Sequence, residues 1–154
     1  MNGFVPGLMD RLLGARSQAG AGLTIAQLKD AVARDLEDLL NTRAALPEAL
    51  LAAYPECAGS IVNYGLVDFA GMCLSSSEDR ARICASLKAA IERHEPRLRQ
   101  VQARIEQQAG SINRVNFVIS GVLAVCSAFE PVNFDAVLQP STLHYAIHHS
   151  GAQA

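Results

Sequence analysis

The chain has 154 residues, with 13 Lys and Arg against 15 Asp and Glu and a pI near 6.1, so it lacks the basic footprint of a nucleic-acid binder and any basic membrane face. Half of its residues are hydrophobic, yet only 5% are aromatic and none is Trp, which implies one domain with a core of Ala, Leu, Val and Ile. The four cysteines (Cys57, Cys73, Cys84, Cys126) form no CxxC pair and are too sparse for a disulfide scaffold, so they read as buried, reduced thiols.

In chain order, Leu8 to Leu13 reads as a short amphipathic helix, and glycines 14, 20 and 22 mark a flexible linker after it. Thr24 followed by Gln27 matches a capping box, in which two otherwise unpaired N–H groups at a helix start are satisfied reciprocally. From Ile25, the residues Leu28, Val32, Leu36, Leu39 and Leu40 recur at three- and four-residue steps, the apolar stripe of a core helix. Asp30 and Arg34 are spaced for a surface pair, and the helix should stop near Asn41-Thr42-Arg43 ahead of Pro47. Pro47 to Tyr54 suggests a helical turn or two ended by Pro55, and Ser60 to Gly65 reads as an extended loop. A second capping box, Ser75 to Glu78, opens a helix with Ile83, Leu87 and Ile91 on its apolar face, reaching about His94.

After Pro96 the period changes from 3.6 to 2. Val101, Ala103 and Ile105 alternate with polar residues, as in a half-buried strand. A turn between Gly110 and Asn113 leads to a long strand through Val115, Phe117, Ile119 and Leu123; Pro131 should break it before Val132, Phe134 and Ala136 start another. Gln139 to Thr142 is turn chemistry, followed by a last extended piece at Leu143 to Ile147. Helices first and then a meander of three or four antiparallel strands is an α+β architecture. The expected organisation is residues 1–23 as a short helix and Gly-rich linker, 24–147 as one α+β domain, and 148–154 as a disordered tail. Residues 1–22 hold no run long enough for a signal sequence, and the most apolar stretch, Val115 to Phe129, is broken by Ser120, Gly121 and Ser127 short of a membrane span. A cytoplasmic location without membrane insertion is therefore expected.

The tripeptide Glu95-Pro96-Arg97 sits on the seam between helix and strand. Proline has no N–H and a fixed φ, and it pushes the preceding residue out of the α region, so a carboxylate and a guanidinium flank a rigid corner. Such a pair can neutralise itself or present a bidentate fork to a partner. Enzymatic chemistry has little else to draw on. A glycosidase needs two carboxylates about 5 to 9 Å apart, and only Glu95 has an unusual setting. His144, His148 and His149 fall in the expected tail, which gives a metal no supporting elements, and His94 suits a helix C-terminus. No phosphate loop or nucleophile motif occurs, so no cofactor, metal or small-molecule substrate is expected. Asn41-Thr42-Arg43 reads, by itself, as an ordinary helix end.

Taken together, the run Arg34 to Arg43, then Asn63-Tyr64-Gly65-Leu66-Val67-Asp68, then Glu95-Pro96-Arg97-Leu98, with Pro131 to Leu138 and Leu8 to Leu12 at the flanks, closely resembles the baseplate wedge subunits of contractile injection machines. The type VI secretion branch, TssE, is the most similar, related to a phage tail wedge protein once labelled lysozyme-like. The resemblance covers residues 8–147, with Ala44 standing where a second basic residue is common and Val67 where a proline is frequent. It implies a non-enzymatic protein whose fold is similar to the interlocking domain of contractile sheath subunits. Such a protein sits in each wedge beside TssF and TssG, in a cytoplasmic baseplate docked at the inner face of the membrane, and starts the first ring of the sheath subunits TssB and TssC. The resemblance makes Glu95 and Arg97 the pair that binds the wedge's helical core bundle, with Pro96 fixing their geometry and Asn41 and Arg43 as further partner-binding positions. Peptidoglycan cleavage, suggested by the old label, and an unrelated cytosolic adaptor are the alternatives. The strand meander, for its part, offers an open edge to which a sheath strand can add.

Overall fold

The computed structural model describes residues 4–12, 22–69, 71–106, 115–125, 128–139, 142 and 144–150. A short helix α1 (Leu8–Leu12) precedes the long α2 (Ile25–Asn41), two short helices α3 (Glu48–Ala53) and α4 (Pro55–Ala58), and a 3-10 turn at Ile61–Asn63. The second long helix, α5 (Ser77–His94), leads into strands β1 (Leu98–Glu106), β2 (Val115–Val125), β3 (Ala128–Gln139) and β4 (His144–Ser150). All neighbours pair antiparallel in the order β1-β2-β3-β4. This is the α+β arrangement expected from the change of period.

The start of α2 follows from local chemistry. The Thr24 hydroxyl accepts from the Gln27 N–H at 3.2 Å while the Gln27 side chain accepts from the Thr24 N–H at 2.8 Å, which completes the capping box. Leu28, Val32, Leu36, Leu39 and Leu40 are buried on one face, each contributing about 1.5–3 kcal/mol by leaving water. They meet Ile83, Leu87 and Ile91 of α5 and the inward face of the sheet, where Val101, Phe117, Ile119, Leu123, Val132, Phe134 and Ile147 complete the core. Helix α5 is capped by Ser76, whose hydroxyl accepts from the Asp79 N–H, one residue later than the Ser75 to Glu78 box expected.

Several local expectations are corrected. The helical turns after Pro47 do end before Pro55, as α3, but Pro55 then opens a further helix, taking the first position of α4, where its missing N–H has no helical acceptor to lose. The segment expected to be extended at Ser60 to Gly65 closes instead into the 3-10 turn, with the Ser60 hydroxyl accepting from the Val62 N–H. Pro131 lies inside β3, opposite Val122. Among the described residues the pairing with β4 runs only to Asn133, so the described partner of Pro131 is on the β2 side alone, where a residue without an N–H is tolerated. Strand β4 continues through His148, His149 and Ser150, which were expected in a tail; the His149 ring stacks edge-on against Phe134, with centroids 5.8 Å apart. A bulge between Arg99 and Gln102, with Gln100 at φ 54°, lets Leu98 and Val101 both face the core although three residues apart. The thiols are less sheltered than expected: Cys73 is exposed, Cys57 and Cys84 are half-buried, and Cys126 lies outside the described residues. So do the Gly110–Asn113 turn, most of the Gly-rich linker and much of the Gln139–Thr142 turn.

Candidate functional site

Glu95 is the residue that ends α5, with φ −121° and ψ 79°, outside helical space as a residue before proline should be. Its N–H still closes on the Ile91 carbonyl at 2.8 Å, and its own carbonyl accepts from the Leu98 N–H at 3.1 Å, so the corner is pinned from both sides. The Arg97 carbonyl accepts from the Ala124 N–H at 2.8 Å, which ties the corner to β2. Pro96 is exposed at the apex.

The two charged side chains fold onto each other. Arg97 Nε donates to Glu95 Oε1 at 2.7 Å and a terminal nitrogen donates to Oε2 at 2.5 Å, a bidentate fork, while the Arg97 N–H also reaches Oε1. Glu95 is only 5% exposed, and both of its oxygens are committed to Arg97. Arg97 keeps 29% of its side chain exposed. The same terminal nitrogen donates to Asp35 of α2 at 2.5 Å. The hydrogen bond from Arg97 to Glu95, reinforced by the charges of Glu95 and Asp35, lifts the guanidinium above its ordinary value despite burial. Arg97 is a permanent cation held in one orientation.

Asp35 passes the pattern on. Arg34 donates to Asp35 at 3.3 Å and to Asp10 of α1 at 2.5 Å. Asp10, Arg34, Asp35, Arg97 and Glu95 thus form an unbroken chain of alternating charge. Arg34 turns to Asp10 and Asp35, not to the Asp30 its spacing suggested. Arg34 was expected only to pair with Asp30, and neither Asp35, within the motif run, nor Asp10 had an expected role. Their only signal was that acids and bases alternate among residues that tertiary structure alone brings together.

Asn41 and Arg43 are placed differently. Asn41 ends α2 with its carboxamide aimed at β4, donating to the Tyr145 carbonyl at 2.9 Å and accepting from the Tyr145 N–H at 2.8 Å. One turn earlier, Glu37 accepts from the Ile147 N–H at 2.9 Å. These side chains occupy hydrogen-bonding positions on the outer flank of β4. Arg43 is exposed, and its backbone pairs with Leu66 in a parallel bridge. That bridge needs Gly65, which has φ +117° and whose absent Cβ would lie 2.5 Å from the Thr42 carbonyl oxygen. Tyr64, next in line, links this bridge to the corner. Its ring meets His94 edge-on with centroids 5.2 Å apart, and burial, then the charges of Asp38, Asp35 and Glu95, raise its phenol above the ordinary value.

A groove of about 640 Å³ lies between α3, α4 and α5, lined by Leu46, Leu51, Pro55, Ala89 and Arg93 among others, and holds none of the corner residues. Among the described residues no helix is long and apolar enough to cross a membrane.

The family model for the baseplate wedge protein gp25 matches residues 26–126, well over half of the chain. No curated protein matches. Among solved structures, a chain of "The baseplate complex from the type VI secretion system" shares the fold with a TM-score of 0.51 at 16% identity, over 74% of this chain and 96% of that one.

Proposed function

The chain belongs to the gp25 family of baseplate wedge proteins, and from that premise we propose that it is the wedge subunit of a type VI secretion baseplate, joining the wedge's helical core bundle to the first sheath ring. A structural role in a baseplate follows from the family; the match over residues 26–126 is the observation that carries it. The fold shared with a chain of a type VI baseplate complex supports the choice of machine.

In this reading the corner is the bundle-binding surface and its two charged residues divide the work. Glu95, buried and fully engaged, orients the fork; Arg97, with Asp35 beside it, offers the accessible edge to a partner's carboxylate or helix-end carbonyls. Arg43 extends that surface, whereas Asn41 acts from behind by holding β4. The sheath-side surface is the outer flank of β1, since α2 already fills hydrogen-bonding positions on β4. TssF and TssG are the partners at the corner, and TssB and TssC at the strand, in a cytoplasmic assembly docked at the inner face of the membrane. No catalysis is assigned, because the one carboxylate in an unusual setting has both oxygens on Arg97.

The test is co-purification of the tagged chain with TssF and TssG, wild type against an Arg97→Ala variant with unchanged circular dichroism. Wild type should bring down both and the variant neither. A wild type that captures neither partner would overturn the wedge assignment.

A further inference from the structure

Helix α1 is built inside out. Its acid, Asp10, is 4% exposed, while Leu8 and Leu12 are 71% and 70% exposed and neighbouring Val5 and Met9 are 72% and 51% exposed. Apolar burial therefore does little to hold α1 against α2. Its attachments are the Phe4–Leu23 bridge, with Phe4 packed on the core, and the Asp10 carboxylate. That carboxylate accepts from the Gly7 N–H at 3.0 Å and from Arg34 at 2.5 Å.

Arg34 has two carboxylates to serve, and the second, Asp35, is itself shared with Arg97. We infer that Asp10 is a remote positioning residue for the Arg97 fork. Docking of α1 and occupation of Arg97 are linked through Arg34 and Asp35, and they oppose one another. The sign follows from competition. A partner carboxylate that takes the outer nitrogen of Arg97 leaves Asp35 short of a cation. Asp35 then draws on Arg34, Arg34 loosens its hold on Asp10, and α1 is freed. By linkage, the factor by which occupation of Arg97 weakens the docking of α1 is the factor by which undocking of α1 strengthens occupation of Arg97. Burial raises the Asp10 carboxyl, but the Arg34 and Gly7 hydrogen bonds and the charges of Arg34 and Arg97 outweigh it and leave it below the ordinary carboxylate value, so Asp10 feels Arg97 without touching it. The identity of the opposing partner rests on the proposed function; the internal linkage does not.

The experiment is hydrogen–deuterium exchange of residues 4–12 in the full chain, with no partner present. It compares wild type with Asp10→Asn, Arg97→Ala and Asp35→Asn, and protection of α2 and α5 serves as the control for folding. Asp10→Asn should raise exchange in 4–12 most, and Asp10→Glu should restore part of it. Arg97→Ala should raise it by about 2- to 5-fold, since Asp35 turns to Arg34. Asp35→Asn should lower it, because Arg34 then serves Asp10 alone. Opposite signs for two substitutions at the corner are the signature of shared charge, since general loosening moves both the same way. Exchange in 4–12 that ignores Arg97→Ala, or that rises in both corner variants, would overturn the linkage while leaving the wedge assignment to its own test.

Discussion

Helices α1 and α2 are joined by the Asp10–Arg34 ion pair, yet they are held by opposite means. Helix α2 turns five large aliphatic residues into the core and is capped by a box of reciprocal hydrogen bonds, so its position is set by area removed from water. Helix α1 turns its aliphatic residues outward and its acid inward, so its position is set by charge and by one backbone bridge. Burial is insensitive to events elsewhere on the surface, whereas an ion chain can be redistributed by any new charge that joins it. The same neighbourhood thus contains a rigid platform and an element whose attachment depends on the corner.

The contrast can be broken most forcefully from the α2 side. Leu36→Ala removes a fully buried side chain and should cost about 2–5 kcal/mol in chemical denaturation. Gly65→Ala comes next. A Cβ driven to 2.5 Å from the Thr42 carbonyl at positive φ should cost about 1–3 kcal/mol and disturb the strip that follows α2, read as a lowered denaturation midpoint. A smaller, graded effect is expected with pH. Burial, with Arg93 adding, holds His94 below its ordinary 6.5 against the raising effect of the Asn63 carbonyl. The unfolded chain therefore takes up the proton first as pH falls through about 6.5, and stability should decline below that pH. His94→Gln should flatten this part of the stability–pH curve. The least effect is reserved for α1: Leu8→Ala should change global stability by no more than about 0.5 kcal/mol, and a larger loss would show that its apolar face is buried after all.

What could be read from the residues alone divides along the same line. The periods of α2, α5 and the strands, the Thr24 cap and the rigid corner at Pro96 are local, and the structure bears them out. The partners of the charges were not legible. Arg97 meets Asp35 from 62 positions away and Arg34 meets Asp10 from 24, and nothing in spacing says which acid will face which base. Asn41 looked like a plain helix end because its partner, Tyr145, is 104 residues distant. Pro131 misled for a related reason. A proline is a strand breaker only where a neighbour needs its N–H, and that depends on pairings between distant strands.

The seal that Asn41 and Glu37 place on β4 has one more consequence. A sheet with both flanks free can be extended in either direction, and copies of it can join end to end without limit. Closing one flank with side chains from its own helix gives this sheet a head and a tail. The two edges are thereby made unequal, and under the proposed function an incoming strand would find the side-chain-blocked β4 edge the harder one to extend.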